Sequence, residues 1–113
     1  MSVVAPFPPP WDRRCIASFD RLEWTRLLDL YGRMVAAGHW RDYAVGFQPD
    51  VATFAAFRRH ADRPEIRIEK RPSLRLKQGA FALIGEHGMV LKRGQDLANV
   101  LAPLERRLLR LVG

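Results

Sequence analysis

A single cysteine, Cys15, is the only thiol in this 113-residue chain. No disulfide can form within it, and one unpaired cysteine fits a reducing compartment. No apolar run approaches the roughly 20 residues that a membrane-spanning helix needs. Met1 to Pro10 carries neither a basic cluster nor a long apolar stretch, so a secretory signal is not expected. Catalytic signatures are missing too: there is no nucleophile-elbow pattern, no phosphate-binding glycine loop and no pair of histidines at metal-ligand spacing. His39, His60 and His87 fall in three different predicted turns, and Cys15 has no histidine at a recognisable offset. A small domain without convergent polar groups offers little to a reaction. The expectation is a cytoplasmic, non-enzymatic protein with no catalytic residues, no cofactor and no metal site.

Acids are also scarce. Nineteen Lys and Arg stand against twelve Asp and Glu, a net charge of +7. Between Arg58 and Lys77 eight basic residues face Asp62, Glu65 and Glu69, so this window holds +5 of that charge. From Ile66 onward it alternates: Ile66, Ile68, Leu74 and Leu76 fall at even positions, and Arg67, Arg71, Arg75 and Lys77 at odd ones. Side chains two apart in a strand point the same way, so this pattern describes a strand with one apolar and one basic face. Concentrated positive charge attracts polyanions by steering and counterion release. Arg58, Arg59, Arg67, Arg71, Arg75 and Lys77 are therefore candidate phosphate contacts for single-stranded DNA or RNA. Trp40 and Arg41, with Tyr43 nearby, add stacking faces beside a guanidinium, a combination that suits unpaired bases. Each feature has a plainer alternative: a solvated strand rich in Arg, and a Trp40 that plugs the core past a helix end. An acidic protein docking on the basic strand, as on an adaptor, is the other partner class. Pro72 decides how far the basic face extends, because proline cannot donate to a sheet ladder and belongs at an edge or a break.

The rest of the chain reads as one domain, residues 14–113, behind a disordered Pro-rich arm over residues 1–13 that contains Pro6, Pro8, Pro9 and Pro10. Arg14 to Phe19 is either a short edge strand or a lead into the first helix. Asp20 and Glu23 make a capping-box start, and Gly38 supplies the stop. Trp24, Leu27, Leu28, Tyr31, Met34 and Val35 form the apolar stripe of that helix, and Asp29 and Arg33 are placed for an i,i+4 contact. Gly32, costly in a helix interior, marks a close contact. The period then changes to two. Pro49-Asp50 turns a hairpin that sets Val45 opposite Phe54 and Phe47 opposite Ala52, with Thr53, Ala55 and Phe57 on the other face. Gly85 to Gly88 turns a second hairpin. A final helix from about Gln95 carries Leu97, Val100, Leu101, Leu104, Leu108 and Leu111, with Pro103 expected to kink or split it. Short links imply an α+β domain: helix, a four- to five-stranded antiparallel meander, helix, with both helices on one face. Apolar surface beyond what two helices cover makes a homodimer attractive. Phe47, Phe54, Phe57 and Phe81 are core rings unless the bare face carries Phe57 or Phe81 beside Arg67 and Arg71.

Three stretches, Leu30 to Ala44, Arg67 to Pro72 and Leu91 to Gly94, resemble a family of short alphaproteobacterial proteins defined as a domain of unknown function. That resemblance spans roughly Phe19 to Leu101 and implies a bacterial cytoplasmic protein without supplying an activity, cofactor or site residues. In architecture the pattern is also similar to the purine-rich-element-binding and transcriptional-coactivator single-strand binders. That likeness implies nucleic acid on an open sheet face and a dimer, although the N-terminal helix departs from their pattern.

Overall fold

The computed structural model describes residues 16–112. The Pro-rich arm and Cys15 lie outside the described residues, as does the side chain of Leu111. Chain order is α1 (Arg21–Ala36), β1 (Asp42–Phe47), β2 (Ala52–Phe57), β3 (Ile66–Lys70), a 3₁₀ turn (Pro72–Leu74), β4 (Phe81–Gly85), β5 (Val90–Gly94) and α2 (Leu97–Val112). The strands form one antiparallel meander in the order β1-β2-β3-β4-β5. Residues of α1 and α2 share one buried cluster with a single face of this sheet, so the fold is α+β with both helices on one side.

The capping box closes as its residues imply. The Asp20 carboxylate accepts from the Glu23 amide and the Glu23 carboxylate from the Asp20 amide, each at 2.8 Å. Gly38, with φ of +84°, lets the chain leave α1. The buried residues of α1 are Leu27, Leu30 and Met34, with Trp24 and Tyr31 partly buried to one side. Leu28 and Val35, expected in the stripe, are exposed instead. The sheet accepts only the arc of the helix centred on Leu27, and those two residues sit past its margin. Residues 16–20 form no strand; the Ala17 amide donates to the Gln48 carbonyl at 3.0 Å, and Ala17 and Phe19 join the core.

Val45 lies opposite Phe54 and Phe47 opposite Ala52, as the two-residue turn dictates. The alternation carries across the sheet, so Tyr43, Val45, Phe47, Phe54, Ile66, Ile68, Phe81 and Leu83 face the helices. Asp42, Ala44, Thr53, Ala55, Phe57, Arg67, Glu69, Ala82, Ile84 and Arg93 face the other way.

The alternating segment from Ile66 is not one strand. β3 ends at Lys70, and Pro72 opens the 3₁₀ turn, where a missing N–H and a fixed φ suit the first position. The Leu74 carbonyl then accepts from the Lys77, Gln78 and Gly79 amides. The even residues therefore part company: Ile66 and Ile68 are buried, while Leu76 is 88% exposed. Gly79, at φ +101°, lies against β5 so closely that a Cβ there would sit 2.5 Å from the Gly94 carbonyl carbon.

α2 is capped by Asp96, whose carboxylate accepts from the Ala98 amide at 3.2 Å. Of the two expectations for Pro103, a kink or a split, the split does not occur, because the helix runs through it unbroken. Proline removes one hydrogen bond there, while Leu97, Val100, Leu101 and Leu104 are buried on both sides of it and hold the helix to the sheet. The two helices run side by side in the same direction. Their N-terminal ends share a recess lined by Leu22, Glu23, Gln95 and Leu97. Farther along, Arg33 bonds both oxygens of Glu105 at 2.7 and 2.9 Å and also reaches Asp29 at 3.0 Å, the expected i,i+4 pair. The Glu105 carboxylate holds the Arg33 guanidinium pKa above its ordinary value, with the Asp29 charge adding to the effect.

Candidate nucleic-acid interface

The eight residues singled out from sequence do not form one surface. Antiparallel pairing of β1 with β2 brings Arg41, just before β1, to the same sheet corner as Arg58 and Arg59, just after β2. There they line a shallow recess with Asp42, His60, Ala61 and Asp62. The Arg41 amide donates to the Phe57 carbonyl at 2.7 Å. His60 adopts φ of +60°, a left-handed conformation that histidine visits more readily than most side chains. Arg58 pairs with Glu86 of the β4–β5 hairpin, whereas Arg41 and Arg59 have no ion-pair partner among the described residues. Acids in and beside the recess offset much of its charge.

Trp40 is not a stacking face. It is 4% exposed, stacks on Tyr31 at 6.2 Å and donates from Nε1 to Glu65 at 2.9 Å. The other oxygen of Glu65 takes a hydrogen bond from Arg107 of α2, and a second guanidinium nitrogen of Arg107 meets His39 Nδ1 at 2.9 Å. This network ties the α1–β1 link to β3 and α2, and sequence reasoning missed it because its members lie 25 to 68 residues apart. Trp40 therefore caps the core, and its ring is closed to a ligand.

The helix-free face brings the remaining arginines together. Arg67 and Arg71 flank Glu69 along β3, with nitrogen–oxygen distances of 3.9 and 3.4 Å, and Arg71 also reaches Asp50 at 3.5 Å. Glu69 holds two arginines at once and so positions both side chains, while Asp50 adds a second carboxylate to Arg71. Across the sheet Ala82 separates Glu69 from Arg93 of β5. One guanidinium nitrogen of Arg93 is buried without a hydrogen-bond partner. Sequence alternation missed Arg93, because its face depends on a register irregularity between β4 and β5. Ala55 and Ala82, both buried, lie between these long side chains. Phe57, half-buried, shares this face, whereas Phe54 and Phe81 are core and Phe47 is half-exposed at the helix-side margin.

Arg75 and Lys77 do not continue the rail. They flank the exposed Leu76 in the turn after Pro72. The basic alternation thus resolves into a strand patch at Arg67 and Arg71 and a separate turn patch at Arg75 and Lys77. Among the described residues no group of three or more His, Cys, Asp or Glu is placed to hold a metal ion. Among the described residues no helix is long and apolar enough to cross a membrane.

A family described as protein of unknown function (DUF2794) matches residues 17–101, and the chain belongs to it. No curated protein and no solved structure matches the chain.

Proposed function

We propose that this member of the family is a non-enzymatic binding module that holds single-stranded DNA or RNA on the helix-free face of its sheet. The observation that carries the reading is the sharing of that face by Phe57, Arg67 and Arg93, with Arg71 held beside Glu69 just past β3. An aromatic ring among guanidinium groups suits a strand whose bases are unpaired: the ring stacks on a base while the arginines meet phosphates. Arg75 and Lys77 extend the contact at one end, and Arg41, Arg58 and Arg59 at the corner beyond Phe57.

Salt titration with single-stranded oligonucleotides tests the reading. About four phosphate contacts, from Arg67, Arg71, Arg75 and Arg93, predict a slope of log affinity on log salt near −3, and each Arg→Ala change removes about 0.7 of it. Phe57→Ala is expected to weaken binding by about 1–3 kcal/mol with little change in that slope. No binding at low salt overturns the reading. An Arg71→Ala variant that loses more than about 1 kcal/mol of stability makes Arg71 a structural partner of Glu69 and Asp50 instead. A protein-interaction role is the second reading. What favours it is the outer edge of β1, which has no partner strand among the described residues and whose exposed side chains are apolar.

A further inference from the structure

We propose that a second copy of this chain docks along β1, the two β1 strands pairing antiparallel about a two-fold axis so that both sheets join into one. Among the described residues β1 is an outer strand. The Gln48 amide bonds the Val51 carbonyl across the turn. By the two-residue alternation of an antiparallel ladder, the main-chain groups of Ala44 and Gly46 then face β2, and those of Tyr43, Val45 and Phe47 face outward. The side chains of the same three residues form an exposed apolar row on the helix side, 45%, 36% and 49% exposed. Leu28 and Val35 of α1 are exposed beside them. Trp24 lies 6.4 Å from the Phe47 ring and Tyr31 4.9 Å from the Tyr43 ring, joining the two rows into one surface. From Tyr43 to Phe47 there is no charge, proline or bulge, the devices with which sheets commonly blunt an edge.

The occupant follows from self-complementarity. A two-fold axis perpendicular to the sheet keeps helix-side residues on the helix side only if it passes through a residue position. Placed at Val45, it sets Val45 against its own copy and Tyr43 against Phe47 of the second copy, with their outward amides and carbonyls paired. Placed at Ala44, it would set Arg41 against Phe47. The Val45 register therefore matches apolar with apolar throughout. α1 returns antiparallel to β1, so the same axis opposes α1 to its copy with dipoles reversed. Arg21, which has no ion-pair partner among the described residues, then approaches the negative C-terminal end of the facing α1. Gly32 lies between Leu28 and Val35 on this exposed stripe, and a Cβ there would meet nothing within 4 Å. The chain's own packing supplies no reason for a glycine in that helix; a facing α1 does. This proposal does not depend on the nucleic-acid reading, since the row at β1 uses none of the arginines on the bare face.

Light scattering on the full chain carrying Cys15→Ser tests it, with a mass twice that of one chain expected at micromolar concentration. Val45→Lys places like charges directly opposite at the axis and should give a monomer with unchanged circular dichroism. Val90→Lys, on the other edge, should leave the dimer intact. Should Val45→Lys fail to fold, Val45→Cys decides: oxidation joins two copies, because facing Cα atoms about 5.5 Å apart suit a disulfide. Val90→Cys should not be joined. A monomeric parent, a dimer that a folded Val45→Lys leaves intact, or crosslinking at Val90 in place of Val45 overturns the proposal.

Discussion

The two edges of this sheet are built differently. Along β5 the register slips between Leu83 and Ile84, Lys92 and Arg93 sit within the strand, and Gly79 clamps its end at Gly94. β1 is regular across all six of its pairs with β2, and its one charge, Asp42, stands at the first position. Exposure does not separate the two, since Val90 and Leu91 are about as exposed as Tyr43 and Phe47. Regularity and charge separate them. A strand that is bent and charged cannot readily accept another strand, whereas β1 presents a straight, uncharged ladder. Exposed apolar side chains thus carry information about partners only together with the backbone they stand on.

The contrast can be broken from the inside. Phe54 touches Trp24, Tyr31 and Tyr43, so Phe54→Ala should cost about 3–5 kcal/mol. Hydrogen exchange should show amides of β1 and β2 opening more than those of β5. Leu101→Ala, under α2, should cost about 2–5 kcal/mol with the opposite bias. A uniform rise in exchange in both variants would mean that the two edges open as one unit.

Gly79→Ala attacks the clamp on β5. It adds a strained left-handed residue and a contact with the Gly94 backbone, so a loss of about 1–3 kcal/mol is expected in chemical denaturation. An unchanged midpoint would show that the clamp can relax without cost.

A smaller effect belongs to Tyr31, whose hydroxyl donates to the Arg41 carbonyl at 2.9 Å and so pins the entry to β1. Burial chiefly, and the nearby Asp42 carboxylate, raise its pKa above the ordinary 10.0. The folded state therefore favours the neutral phenol. That contribution is complete below pH 10 and is lost as pH rises through the raised value. Tyr31→Phe should cost about 1 kcal/mol at neutral pH and remove this alkaline loss, as thermal melts across the range would show. The smallest effect is a gain. In a protein held monomeric by Val45→Lys, Gly32→Ala should add about 0.5–1 kcal/mol, because its methyl group meets open space. In the dimer the same change should weaken association.

What could be read before the fold was known was mostly local. The Asp20–Glu23 box, the Pro49-Asp50 hairpin and the break at Pro72 each depend on residues within a few positions of one another, and each formed as read. Pro103 fails to split α2 for the complementary reason. Its penalty is local, about 3 kcal/mol, while the burial that overrides it comes from β4 and β5. Leu28 and Val35 belong to the apolar stripe by periodicity, which states that a helix has an apolar side but not how wide an arc its neighbour covers. At the candidate site, Arg67 and Arg71 were visible from alternation. Arg93 joined them through register, and Trp40 left through its bond to Glu65.

By itself the sequence determined the element order, the meander with its first hairpin register, and the excess of positive charge in one window, because capping, turn geometry and two- or 3.6-residue periods act over short stretches of chain. Only the tertiary structure decided which sheet face the helices cover. Both faces of the first hairpin are apolar enough to bury, and the choice falls to the whole set of Phe54, Ile66, Ile68, Phe81 and Leu83 packing against α1 and α2 at once. That choice divided the basic residues among a bare face, a corner and a turn, and left the apolar row of β1 at an edge unpaired among the described residues.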